Sequence, residues 1–244
     1  MAHDGGEGAR ERAPLSRERV LRGAVAIADA GGLGSLTIRS LAAHLGVKPM
    51  SVYHYVANKD EILDGIVDLV FGEIELPEPG GDWRTEMRRR AKSARRVLGC
   101  HPWAIALLQS RVHPGPATLR HHNAVIGTLR VAGFSVAATA HAFALIDSYV
   151  FGFALSEAAL PIHGPDSVAD IAESMTQRYF GAETYPYLHE FSTEHVMRPD
   201  YDFGTEFEFG LDLILDALAG TDPDNTGQPV PGDADRIITA ADTG

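Results

Sequence analysis

Apolar positions recur at helical spacing along almost the whole chain. Val20, Leu21, Ala24, Ile27 and Ala28 share one face of a helix that Ser16 is placed to cap and that Gly31, Gly32 and Gly34 end. Thr37 heads a short second helix with Leu41, Ala42 and Leu45 facing inward and Gly46 at its end. Pro49 suits the first turn of a third helix, where its missing N–H costs nothing, and this helix is expected to run to about Tyr55. Asn58 can cap a fourth, with Asp60 and Glu61 where the helix dipole favours acids and Ile62, Leu63, Ile66, Leu69 and Val70 as its apolar face. Pro77, Pro79, Gly80 and Gly81 then interrupt the pattern. Helical patterns resume at about 83–99, 102–111, 116–132, 135–159, 166–180, 183–196 and 203–219. Strand signals are sparse, so the expected fold class is all-α.

Composition narrows the setting. The 244 residues hold one cysteine, Cys100, which excludes an intramolecular disulfide and fits a cytoplasmic location. The most apolar run, Ala142 to Leu155, carries Asp147 in its middle, so no membrane span is expected, and the polar N-terminus lacks the apolar core of a secretory signal. The net charge of −12 is unevenly spread. Residues 1–59 hold 8 Lys and Arg against 5 Asp and Glu, whereas the rest is strongly acidic. A locally basic first quarter on an acidic body suggests a small nucleic-acid contact domain.

The segment from Thr37 to Val56 has a helix–turn–helix pattern, two short helices meeting at a glycine that can adopt a left-handed conformation. Val47, Val52 and Val56 can pack on Leu41 and Leu45, which turns Pro49, Met50, Ser51, Tyr53 and His54 outward. A protruding helix of this size fits the major groove of B-DNA, with hydroxyl, phenol and imidazole groups for base edges and an apolar Pro–Met edge for thymine methyls. Arg39, Lys48 and Lys59 can pair with phosphates or guanine. An ordinary helical hairpin with a polar face is the plainer alternative for such a short motif.

The run Leu36-Thr37-x-Arg39-x-Leu41-Ala42-x-x-Leu45-Gly46-Val47, continued by Ser51-Val52-Tyr53-x-Tyr55-Val56-x-Asn58-Lys59-Asp60-Glu61-Ile62-Leu63, closely resembles the TetR family of transcriptional repressors over about residues 16–70. Phe207 to Leu218 resembles the final helix of its tetracycline-repressor-like branch, and the helix at 135–159 resembles that helix's partner. Residues 221–244 mix Asp, Gly, Pro, Thr and Asn without helical periodicity and are read as a disordered tail, 1–14 as a disordered arm, and the Pro–Gly break before Trp83 as the domain boundary. The resemblance makes 15–75 a three-helix DNA-binding domain and 82–220 a helical regulatory, ligand-binding and dimerisation domain. It further implies a homodimer on double-stranded operator DNA, released by a small-molecule effector. By position, Thr37 and Lys59 are expected at phosphates, Arg39 is able to reach a base, and Ser51, Tyr53 and His54 match recognition-helix contacts. Pro49 and Met50 stand where some relatives carry polar base-reading residues, so base preference does not transfer.

The helix at 203–219 is apolar on several sides. Phe207, Leu211, Ile214, Leu215 and Leu218 form one broad stripe, read here as the dimer interface, and Phe203, Phe209 and Leu213 add apolar surface elsewhere. A purely intramolecular core is the alternative. His101, Trp103, Leu107, Arg111, Phe143, Asp147, Phe151 and Tyr179 form the candidate ligand wall, mostly apolar with a few polar groups. Asp147 is costly inside an apolar helix unless partnered, by a ligand or by an Arg or Tyr of the chain itself. For Trp103, Phe143 and Phe151 a core role competes, and His101 can instead cap a helix.

No metal or cofactor is expected. His121 and His122 are adjacent and share no helix face, and after His189-Glu190 a threonine, Thr193, stands where a zincin motif needs histidine. Arg84, Arg88, Arg89, Arg90, Lys92, Arg95 and Arg96 wrap round their helix, a pattern for pairing with the acidic body and solvation rather than for a second nucleic-acid stripe. An enzyme using Asp147 or a histidine as base, and a DNA-binding regulator without small-molecule response, remain as rival classes. The chain lacks a nucleophile elbow, a phosphate loop and a dinucleotide fingerprint, which weighs against catalysis.

Overall fold

Local caps set the helix boundaries. A computed structural model describes residues 14–108, 113–160, 168–179, 181–198 and 200–220. Arg111, the tail and all of the arm except Pro14 lie outside these described residues. Within them every regular element is helical: α1 (Arg17–Gly31), α2 (Ile38–Leu45), α3 (Pro49–Val52), α4 (Lys59–Glu73), α5 (Trp83–Cys100), α6 (Pro102–Leu108), α7 (Pro116–Val131), α8 (Val136–Ala159), α9 (Val168–Tyr179), α10 (Pro186–Phe191) and α11 (Phe203–Ala219). Ser16, Thr37 and Asn58 cap α1, α2 and α4 by accepting from backbone N–H groups three residues on. Gly46 sits at φ 70°, ψ 35° and closes α2 with Gly46 N–H donating to Ala43 and Val47 N–H to Ala42. Only glycine holds that left-handed position without strain, and it lets the chain reverse into α3.

Two elements depart from the sequence pattern. The third helix stops at Val52 and residues 53–55 form a turn, because the Glu61 carboxylate takes the Ala57 N–H at 2.7 Å and Asn58 immediately starts α4. The pattern at 183–196 becomes a helix starting only at Pro186, since the residue before a proline is pushed out of the helical region. Tyr185 sits at φ −134°, ψ 68°. A π-helical turn, Ser192–Val196, follows.

By their internal contacts the residues form two compact units. The first holds α1 to α4, the end of α5 from Ser93, α6 and α7 as far as His122. Val20, Ala24, Leu41, Val52, Ile62 and Ile66 are fully buried in it. Gly65 lets α1 and α4 touch, for a Cβ there would meet the Leu21 side chain at 2.7 Å. From α4, Asp68 accepts the Thr118 N–H at 2.8 Å and its hydroxyl at 3.0 Å, capping an α7 whose own start, Gly115-Pro116, offers no capping side chain.

The second unit holds residues 76–92, α7 from Asn123, and α8 to α11. Tyr149 and Phe153 of α8 pack on Phe203 and Phe207 of α11, and the Tyr149 hydroxyl donates to the Glu206 carbonyl at 3.0 Å. Gly210 is required there, because a side chain would run into the Tyr149 ring. Arg84, Arg88 and Lys92, spaced four apart on α5, pair with Asp216, Asp212 and Glu208 on α11. Exposed pairs of this kind each contribute less than about 1 kcal/mol, but the ladder fixes the antiparallel register of the two helices.

The stripe assigned to a dimer interface is corrected by this packing. Phe207, Leu211 and Leu215 are fully buried within one chain, Leu218 nearly so and Ile214 partly. These residues are the core of the second unit. The outward face of α11 instead presents Phe209, 65% exposed, and Leu213, 56% exposed. A helix apolar on several sides does not reveal by periodicity alone which side faces inward.

Candidate nucleic-acid interface and ligand groove

The α2–α3 hairpin presents a continuous polar and apolar edge to solvent. Val52 and Val56 are buried against the core, and this pins the opposite side of α3 outward. Met50 is 71% exposed and Tyr53 45%, with Pro49 and His54 exposed beside them and Ser51 half-buried. Thr37 and Ser40 satisfy each other in a capping box, so the start of α2, with Arg39 exposed, is locked. Arg19 donates to the Leu45 carbonyl at 3.3 Å and closes the other end of α2.

The cations separate into two groups. Arg17 is paired with Glu61 and Arg22 with Glu18. Arg39, Lys48 and Lys59 are exposed and make no ion pair among the described residues. Three unpaired cations around an exposed helix edge, on a chain of net charge −12, are an electrostatic footprint for phosphates. All nine residues expected at DNA therefore lie on this hairpin or at the start of α4, where the Glu61–Ala57 hydrogen bond sets the turn that carries Lys59.

The described members of the candidate ligand wall are divided between the two units. His101 and Trp103 lie in the first unit and are both engaged by acids: His101 Nδ1 meets Asp29 at 2.7 Å, Nε2 meets Glu73 at 3.2 Å, and the Trp103 indole N–H donates to Asp29 at 2.6 Å. Burial pulls the His101 pKa down, but the hydrogen bonds to Asp29 and then Glu73, with their charges, outweigh it and hold the imidazole above its ordinary value. Leu107 is half-buried on α6. Asp147, Phe143 and Phe151 lie on α8 in the second unit. Asp147 is buried and its partner is the fully buried Arg90, at 2.5 Å, so the chain itself supplies the cation. Tyr179 on α9 is 55% exposed.

Phe143 is the member that lines a groove. With Ile126 and Arg130 of α7 and Val136, Thr139 and Ala140 of α8 it bounds a half-open space of about 390 Å³, almost wholly apolar. That volume is the size of a small-molecule site. The flanking residues were not legible as a site, because Ile126 and Val136 read as ordinary helix positions. Asp29 and Glu73 were likewise missed, being 72 and 28 residues from His101.

Residues 20–66 match the family of bacterial regulatory proteins called tetR, and residues 76–221 match the tetracyclin repressor-like C-terminal domain. The chain belongs to the TetR family. As a TetR-family protein it is a helix–turn–helix transcriptional repressor. It is 34% identical to the HTH-type transcriptional repressor DrrR1 of Streptomyces coeruleorubidus, over 89% of this chain and 82% of that one. It is 28% identical to the class C tetracycline repressor protein of Escherichia coli, over 84% of this chain and 90% of the other. The TetR family protein ActR of Streptomyces coelicolor, solved in complex with actinorhodin, matches with a TM-score of 0.71 at 28% identity, over 85% of this chain and 96% of that one.

Proposed function

We propose that this TetR-family repressor works as a homodimer on a two-fold symmetric operator and is released by a small organic effector. The exposed α3 edge flanked by the unpaired Arg39, Lys48 and Lys59 carries the operator reading. Thr37, Arg39, Lys48 and Lys59 hold phosphates or a guanine edge, and Pro49, Met50, Ser51, Tyr53 and His54 face the major groove. The dimer is supported by an apolar outward surface. Only 28% of the most apolar stretch of α8 is buried within the chain, and Leu145 and Leu155 of α8 are exposed, as are Phe209 and Leu213 of α11. Helix α8 is long and apolar enough to cross a membrane, but it carries the Asp147–Arg90 pair, and a second subunit is the cover we assign to it.

The α7–α8 groove suits an effector with a large apolar surface, its Arg130 and Thr139 offering the polar contacts. The related ActR, solved in complex with actinorhodin, supports a ligand-responsive role for this chain. Effector binding favours a dimer with different head spacing, a shift of a few kcal/mol being enough to change occupancy. The role is binding rather than catalysis, carried out in the cytoplasm. Asp147, the carboxylate placed best to act as a base, is held by Arg90.

The test uses the duplex that the wild-type protein selects from random DNA. Lys59→Ala should weaken binding on all sequences and reduce the salt slope by about 1, whereas Tyr53→Ala should remove preference for the selected duplex and keep the slope. Unchanged affinity and slope in the double variant would overturn the contact assignment.

A further inference from the structure

His101 ends the connection between α5 and α6 and is buried between two carboxylates from different helices. Asp29 comes from α1 and Glu73 from the last turn of α4. These are the charged groups facing the ring. Helix α6 contributes the Trp103 indole, which donates to the same Asp29 oxygen, and α5 ends at the exposed thiol of Cys100. Both ring nitrogens therefore face carboxylate oxygens at hydrogen-bond distance. A neutral imidazole has one N–H, so it can donate to only one of the two acids and must turn a lone pair toward the other. The imidazolium has two and satisfies both.

The position matters as much as the chemistry. Asp29 lies within the segment matching the DNA-binding part of the family and His101 within the segment matching its C-terminal domain, yet both belong to one compact unit. We infer that His101 is a proton-dependent latch that holds α1 and α4 against α6, so that operator affinity in this repressor is regulated by pH. The inference rests on the operator-binding reading given above. Losing the proton frees one of the two acids, and the loosened α1–α4 pair must be ordered again on binding, which weakens the complex. The sign follows from the geometry and from the raised imidazole pKa. The latch is complete below about pH 6.5, the ordinary value, and is lost as pH rises through the folded value.

Two measurements on the full-length protein test it. The ring protons of His101, assigned by comparison with His101→Gln, should titrate with a midpoint above the ordinary value of about 6.5, and Glu73→Gln should lower that midpoint. Glu73 is half-exposed, so its substitution leaves the fold intact even where His101→Gln does not. Affinity for the selected duplex should fall between about pH 6 and about pH 8.5 by at least about fivefold more in the wild type than in Glu73→Gln or His101→Gln, the low end of coupling between sites. His44 and His54, close to the DNA face, are present in all three proteins, so any contribution from them cancels in that ratio. A midpoint at or below the ordinary value, or the same pH dependence in all three proteins, overturns the latch. Failure to bind any duplex at either pH overturns instead the operator reading on which it rests.

Discussion

Phe207 and Phe209 stand two residues apart on α11 and point to opposite fates. Phe207 is fully buried, stacked on Tyr149 with centroids 5.6 Å apart and edge-on to Phe153 at 5.2 Å. Phe207→Ala removes that ring from a core with little room to collapse, a loss of about 3–5 kcal/mol. Against total stabilities of about 5–15 kcal/mol this is a large fraction. Phe209 is 65% exposed, so truncating it within one chain costs under about 0.5 kcal/mol. Across a two-fold interface the same truncation removes about 1–2 kcal/mol of apolar burial from each subunit. Both copies together raise the dissociation constant about 30- to 1000-fold. Sedimentation equilibrium reads the association, and urea unfolding at several protein concentrations reads the stability. Phe207→Ala should lower the urea midpoint at every concentration. Phe209→Ala should lower it only through the lost association, so its deficit is absent at concentrations where both proteins are monomeric and grows as rising concentration brings the wild type together. Equal, concentration-independent losses in the two variants would refute the assignment of inward and outward faces.

Two further substitutions probe the parts on either side. Asp147→Ala leaves the buried Arg90 guanidinium without its carboxylate and should cost about 3–5 kcal/mol in chemical denaturation, most of which Arg90→Met in the same chain should restore; additive losses in the double variant would deny the pairing. Gly46→Ala places a Cβ at a left-handed position and should cost about 1–2 kcal/mol while weakening operator binding through a displaced α3; unchanged stability would contradict the turn geometry.

The N-terminal helices were legible because their determinants are local. Ser16, Thr37, Gly46 and Asn58 act on backbone groups within three to five residues, so the residue type and its place in the pattern specify the boundary. The same reasoning failed for the length of α3, which depends on a carboxylate arriving from Glu61 on the next helix. It failed more completely for α11. Phe207 and Phe209 are the same residue type on one apolar helix, and the choice between them is made by Tyr149 and Phe153, more than fifty residues earlier. Asp147 was recognisable as a residue needing a partner, yet Arg90 was one of seven basic residues on α5 and nothing local distinguished it. The acids beside His101 and Trp103 were hidden for the same reason, since Asp29 lies more than seventy residues away in sequence.

The most direct test of the account is selection of bound fragments from random duplex DNA by the purified protein at near-physiological salt, where non-specific phosphate binding is weak. The account predicts an enriched sequence with two-fold symmetry, its half-site centres about 34–36 Å apart or at a multiple of that spacing. A folded, dimeric protein that enriches no sequence, or one that enriches an asymmetric single site, would contradict it.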